Sequence, residues 1–174
     1  MVPSFIGAGS AYIVSRDGGA PDGILGTWSA DVVFDRTSEV DWPNDSTLFD
    51  VNNDGVLDWV IGTGFIPLPN GGITWIPGVE EANGNLSFDI PDIIHIPRED
   101  YFYHKAYPLD MDGDGDTDFV TSSYKNPDTD WFGNVTEPGV AVLEWFENDG
   151  IARQASFTHH FISENGGVMV AVSI

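Results

Sequence analysis

Carboxylates recur at every second position of DMDGDGDTD (110–118), where Asp110, Asp112, Asp114, Asp116 and Asp118 fill five of nine places. Sixty residues upstream, DVNNDGVLD (50–58) repeats the pattern with Asp50, Asn52, Asp54 and Asp58. Carboxylates about 6 Å apart repel by roughly 0.7 kcal/mol per pair even at the dielectric of water. Neither stretch contains a Lys or Arg to offset that repulsion, whereas a bound cation would. Both stretches fit D-x-[DN]-x-[DN]-G-x-x-D. Side-chain oxygens at positions 1, 3, 5 and 9 can converge on one ion because the glycine at position 6, Gly55 or Gly115, permits a sharp turn. The main-chain carbonyl of position 7, Val56 or Asp116, supplies a further ligand. Hard oxygen ligands in a flexible loop, without Cys or His, favour Ca2+ over the tighter octahedron of Mg2+. Two Ca2+ sites are therefore expected. The first, with Asn52 in place of Asp112, should hold its ion less tightly.

The elements around these loops exclude the helical calcium motifs. An EF-hand needs a bidentate Glu at position 12, where this chain has Ile61 and Thr121, and the segments that follow, DWVIG and DFVTS, read as strands. Dockerin-like loops fail on the same two points. With 20 Gly and 11 Pro spread along 174 residues, long helices have little room. The apolar stretches are short and rich in β-branched and aromatic residues: AYIV, WSADVVF, DWVIG, ITWI, DIIHI, DFVTSS, AVLEWF, FTHHFI and VMVAVSI. Each is bounded by Gly, Pro, Asn or Asp, which is an all-β signature.

The strands also recur in order. FDVNNDGVLDWVIG (49–62) matches LDMDGDGDTDFVTS (109–122). Each is followed by a Gly/Pro/Asn-rich loop, an aromatic strand (GGITWIPG or VAVLEWFENDG) and a strand carrying histidine (IIHIP or HHFIS). Four short strands per 60 residues is the blade format of a β-propeller. The expected organisation is about two and a half repeats: a partial unit over 1–48, a unit over 49–108 with the first loop, and a unit over 109–174 with the second. VMVAVSI aligns with HKAYPLD so that a third loop is expected to open just past Ile174.

These loops, with WFENDG (145–150) and FTHHFI (157–162), resemble the FG-GAP/VCBS repeat family, the calcium-loop blades also seen in integrin α-subunit propellers. The resemblance covers about 49–174, although IGTG and TSSY stand where the Phe-Gly and Gly-Ala-Pro string would be. It implies propeller-type blades of four antiparallel strands whose ion is structural. It also implies the alternative of a propeller-containing carbohydrate-active enzyme of lyase or dehydratase type.

Other residues carry weaker signals. His95 and His160 occupy similar places in successive repeats and read as structural strand histidines. His159 and His160 are adjacent, so on a strand they face opposite sides. Trp75 and Trp145 recur at one repeat position and read as core. Trp131 in DTDWFGN is a candidate for stacking on a sugar. No G-x-S-x-G elbow, Walker A string or Rossmann glycine fingerprint is present. Asn44, Asn85 and Asn134 begin N-x-S/T tripeptides, candidate glycosylation sites in turn-rich surroundings.

Lys+Arg 6 against Asp+Glu 28 gives a net charge of −22, which argues against nucleic acid and anionic membranes as partners. No apolar run approaches membrane-spanning length. With no cysteine, no disulfide or thiol nucleophile exists. The residues favour a non-enzymatic, calcium-stabilised module outside the cell, for adhesion, recognition or self-assembly. Its partners would be a protein or glycan ligand, or copies of itself joined through strand edges. A carbohydrate-binding lectin is the other alternative.

Overall fold

Turn residues at the ends of each apolar run and β-branched residues within it give strands throughout. The computed structural model describes residues 2–3, 10–16, 28–35, 42–65, 68–82, 84–89, 94–99, 101–150 and 157–164, and it is all-β. Strands β1 (Val2–Pro3), β2 (Ser10–Arg16) and β3 (Trp28–Asp35) form a three-stranded antiparallel sheet. Next come β4 (Pro43–Phe49), β5 (Asp58–Phe65) and β6 (Leu68–Ile76), then a small hairpin of β7 (Gly78–Glu80) with β8 (Leu86–Phe88), then β9 (Ile94–Glu99). They build a four-stranded antiparallel sheet in the order β4-β5-β6-β9. A second such sheet has the order β10-β11-β14-β15, from β10 (Tyr101–Leu109), β11 (Asp118–Lys125), β14 (Val140–Asn148) and β15 (Phe157–Glu164). Between β11 and β14 it carries an extra hairpin, β12 (Asp128–Thr129) with β13 (Val135–Glu137), where β5 and β6 are joined directly.

Register matches between the two large sheets. Phe49 pairs with Asp58 and Leu109 with Asp118, and irregularities fall between Pro43 and Ser46 and between Tyr103 and Ala106, all 60 residues apart. As sheets, the units span Pro43–Glu99 and Tyr101–Glu164. Each starts one strand before its aspartate loop, a different phase from boundaries drawn at 49 and 109 on the loops themselves. VMVAVSI and the position past Ile174 lie outside the described residues.

The first large sheet is buried on both faces. Val60, Ile73 and Trp75 pack against Tyr103, Ala106, Phe119 and Phe146 of the second, while Trp59, Ile61 and Ile76 pack on the opposite side with Val33 of β3 and Phe88 of β8. Burial is accordingly continuous from Asp58 to Gly64, without the alternation of a one-sided strand. β14, by contrast, alternates half-buried and buried positions. Strand β10 lies directly across β4, β5 and β6. Glycine makes that approach possible: a Cβ on Gly71 would lie 1.8 Å from the Tyr101 carbonyl oxygen, and one on Gly62 would lie 2.7 Å from that of His104. Here the glycines of IGTG and NGG have a packing reason.

The strand histidines are not equivalent. Trp75 pairs with Ile94 and Trp145 with His160, so His95, opposite Thr74, corresponds to Phe161. Sequence alignment placed His95 and His160 together because it could not see a one-residue difference in register. His159 and His160 do face opposite sides. His159 bonds Glu144, while His160 stacks on Trp145 at 4.5 Å and bonds Glu147 Oε2 at 2.5 Å. Trp75 is fully buried, and Trp145 is half-buried beneath His160.

Candidate metal centre

Each aspartate loop connects the first and second strands of a large sheet, and its last aspartate opens the second strand. That aspartate, Asp58 or Asp118, is fully buried and accepts two backbone N–H bonds. Asp118 Oδ2 receives Met111 N–H at 2.8 Å and Oδ1 receives Asn148 N–H at 2.9 Å. Asp58 repeats this with Val51 at 2.9 Å and Gly78 at 2.7 Å. The ninth-position carboxylate therefore ties the start of its loop to the end of β14 in the second sheet and to the first residue of β7 in the first. Burial pushes the Asp118 carboxyl up despite both donors, with Asp112 and Asp114 adding repulsion. Burial raises Asp58 similarly, against the N–H groups of Gly78 and Val51 and the Trp75 indole.

Backbone dipoles also hold the rest of the acidic cluster. Asp110 Oδ1 accepts from Gly113 N–H at 2.6 Å and Oδ2 from Gly115 N–H at 3.2 Å. Asp112 Oδ1 accepts from Asp114 N–H and Asp114 Oδ1 from Asp116 N–H, each at 3.1 Å. The Asp116 N–H in particular holds the Asp114 carboxyl below its ordinary value. Gly113 and Gly115 adopt φ of 84° and 98°, left-handed values that fold the chain around these acceptors.

Oxygens of Asp110, Asp112 and Asp118 all lie within 4.8 Å of one another. Ca2+ ligands sit about 2.3–2.6 Å from the ion, so oxygens of one coordination sphere lie at most about 5 Å apart. The donor set is all oxygen and anionic, and the spacing fits such an ion. Asp116 adds a second sign of uncompensated charge. Its Oδ1 is buried without a hydrogen-bond partner, and burial together with Asp114 pushes its carboxyl up to about 6. The sequence put only the Asp116 carbonyl forward, and the burial of its side chain is a tertiary effect.

The first loop repeats much of this scheme. Asp50 accepts from Asp54 N–H at 3.0 Å and Gly55 N–H at 2.9 Å, while Val56 N–H donates to Asp54 Oδ1 at 2.9 Å. Asn52 donates its amide to Asp54 Oδ2 at 2.9 Å. Among the described residues, only the second loop brings three carboxylates together. At position 3 of the first loop an amide stands in place of the Asp112 carboxylate, and it bonds a neighbouring carboxylate that Asp112 would repel.

Two contributors escaped the sequence reading. Asn148 and Gly150 of WFENDG brace the second loop: Asn148 Nδ2 donates to the Thr117 carbonyl at 3.1 Å. A Cβ on Gly150 would lie 2.8 Å from Asp116 Oδ2. Glu144 was also missed. It is fully buried and accepts from the Ser123 hydroxyl at 2.5 Å while also bonding His159. Alternation in VLEWF, which puts Glu144 on the side of Val142 and Phe146, was the available signal.

The sequons separate by environment. Asn85 and Asn134 are exposed on the two small hairpins. Asn44 is half-buried and donates from Nδ2 to the carbonyls of Gly64 and Tyr103, both at 2.8 Å. Searches with the chain find no matching family model, curated protein or solved structure.

Proposed function

We propose that this chain is a calcium-stabilised β-repeat module of the propeller type that works outside the cell in adhesion, recognition or self-assembly. The observation that carries the reading is the convergence of Asp110, Asp112 and Asp118 in a loop joining adjacent strands. Those three carboxylates would hold the ion, with Asp116 close by. The ion would neutralise repulsion that the backbone donors offset only in part. Two large sheets stacked face to face with matching registers support the propeller-type arrangement. Free Ca2+ is abundant outside cells, which suits a loop of modest affinity. The partner class that fits an acidic β-surface is a protein or glycan ligand, or another copy meeting a strand edge.

Melting with calcium and with a chelator tests the reading. At a free concentration of 100 times Kd, an ion that binds only the folded state stabilises by about 2.7 kcal/mol. For a chain of this size that is roughly 5–11 °C in Tm. Asp110→Ala with Asp112→Ala should abolish the shift and leave the chelated melting temperature nearly unchanged. A wild-type Tm indifferent to calcium would overturn the proposal.

A further inference from the structure

We propose that Asn134 is an N-glycan acceptor whose first sugar lies over Phe132 and Trp131, and that Asn44, with the same tripeptide signature, is closed to modification in the folded protein. The inference rests on the extracellular part of the proposed function and adds a covalent partner to it.

Three observations carry it. The first is the chemistry of the two amides. In N-glycosylation an oligosaccharyl transferase moves the sugar from a lipid-diphosphate donor: the Nδ2–C1 bond forms, the C1–O bond to the lipid diphosphate breaks, that diphosphate leaves, and Nδ2 gives up one of its two hydrogens as a proton. Asn44 uses Nδ2 for two bonds, to Gly64 and Tyr103, so attachment there removes one bond and inserts a sugar between β4, β5 and β10. Asn134 makes one such bond, to Asp130 Oδ2 at 2.8 Å, and one hydrogen remains for it after attachment.

The second observation is the shape of the site. The Asp130 carboxylate accepts from Phe132 N–H at 2.9 Å and Asn134 N–H at 2.8 Å, and the Asp130 carbonyl accepts from Gly133 N–H at 3.0 Å. Gly133 has φ of 82°, which completes a tight hairpin turn. Asn134 lies just before β13 and Thr136 within it, and both are exposed on the hairpin.

The third is the uncovered aromatic pair. Trp131 is 95% exposed and Phe132 is 87% exposed, on a hairpin that the first large sheet lacks. Adjacent aromatics held in water by a well-braced turn call for a cover. The C–H face of a sugar is apolar and packs on aromatic rings, and Phe132 lies two residues from the attachment point.

The full chain, secreted from mammalian cells behind a leader peptide, provides the test through peptide mapping before and after enzymatic glycan removal. The expected result is modification of Asn134 and none of Asn44. Iodide quenching of tryptophan fluorescence should rise on glycan removal, and that rise should disappear in Trp131→Phe. An unmodified Asn134, a modified Asn44, or quenching unaffected by glycan removal would overturn the proposal. Calcium-dependent melting of the same preparation reads the ion separately, so an unmodified Asn134 on a calcium-stabilised protein refutes this inference alone.

Discussion

Asn44→Ala and Asn44→Asp together probe the contact that ties the two large sheets. The carboxamide donates to the Gly64 carbonyl on its own sheet and to the Tyr103 carbonyl on the next, 59 residues away in sequence. Removing it forfeits two neutral hydrogen bonds, worth about 0.5–1.5 kcal/mol each. It also leaves two half-buried carbonyls short of a donor, so a loss of about 2–3 kcal/mol is expected. At roughly 2–4 °C per kcal/mol for a domain of this size, Tm should fall by about 4–12 °C. Asn44→Asp exchanges the donor for an acceptor at nearly constant volume and sets an anion against two carbonyl oxygens. It should cost more than Asn44→Ala at neutral pH. Its carboxyl would titrate above the ordinary value, so the deficit should shrink as pH falls and the protonated acid regains one donor. Thermal melts in saturating calcium, at pH 7 and pH 4, provide the readout. Ser46→Ala, which destroys the sequon and keeps the amide, serves as control. If both Asn44 variants melt within about 1 °C of wild type, the bridge does not hold the sheets together.

Gly71→Ala places a methyl 1.8 Å from the Tyr101 carbonyl oxygen, a backbone atom that cannot swing away. It should cost about 3 kcal/mol or more in denaturant unfolding. Glu144→Ala strands the buried Ser123 hydroxyl and the His159 ring, and should lower stability by about 3 kcal/mol, whereas Glu144→Gln should cost less. The Asp130 carboxyl lies below its ordinary value, chiefly through the Asn134 side-chain amide and then the Asn134 N–H. Its contribution is therefore complete above the unfolded pKa of about 3.9 and lost as pH falls through the lower folded value. Relative to their intrinsic rates, the Phe132 and Asn134 amides should lose exchange protection over that acid range, and Asp130→Asn should flatten the dependence.

Much of the local structure was legible in residue order. Strand runs such as DWVIG and DFVTSS stand out because branched and aromatic residues between turn formers leave few other conformations. Asp-x-Asp spacing with Gly55 and Gly115 locates both loops, since a left-handed position there needs glycine. The adjacency of His159 and His160 alone puts them on opposite faces. These properties depend on residues within one turn or one strand of each other.

What tertiary structure decided lies beyond that range. Both loops follow one motif, and in the second the Asp118 that meets Asp110 and Asp112 is held by the Asn148 N–H from 30 residues away. Three sequons look alike, yet Asn44 is a strut, because a carbonyl on β10 comes within 2.8 Å of it. His95 and His160 align by eye but differ by one residue in pairing, and a strand face is set by its partner's register. The sequence by itself determined which segments are strands and where the acidic loops lie, since both follow from neighbours along the chain. Tertiary structure decided what holds Asp58 and Asp118, which glycines admit β10 and which sequon amide bridges the sheets, since each depends on a backbone tens of residues away.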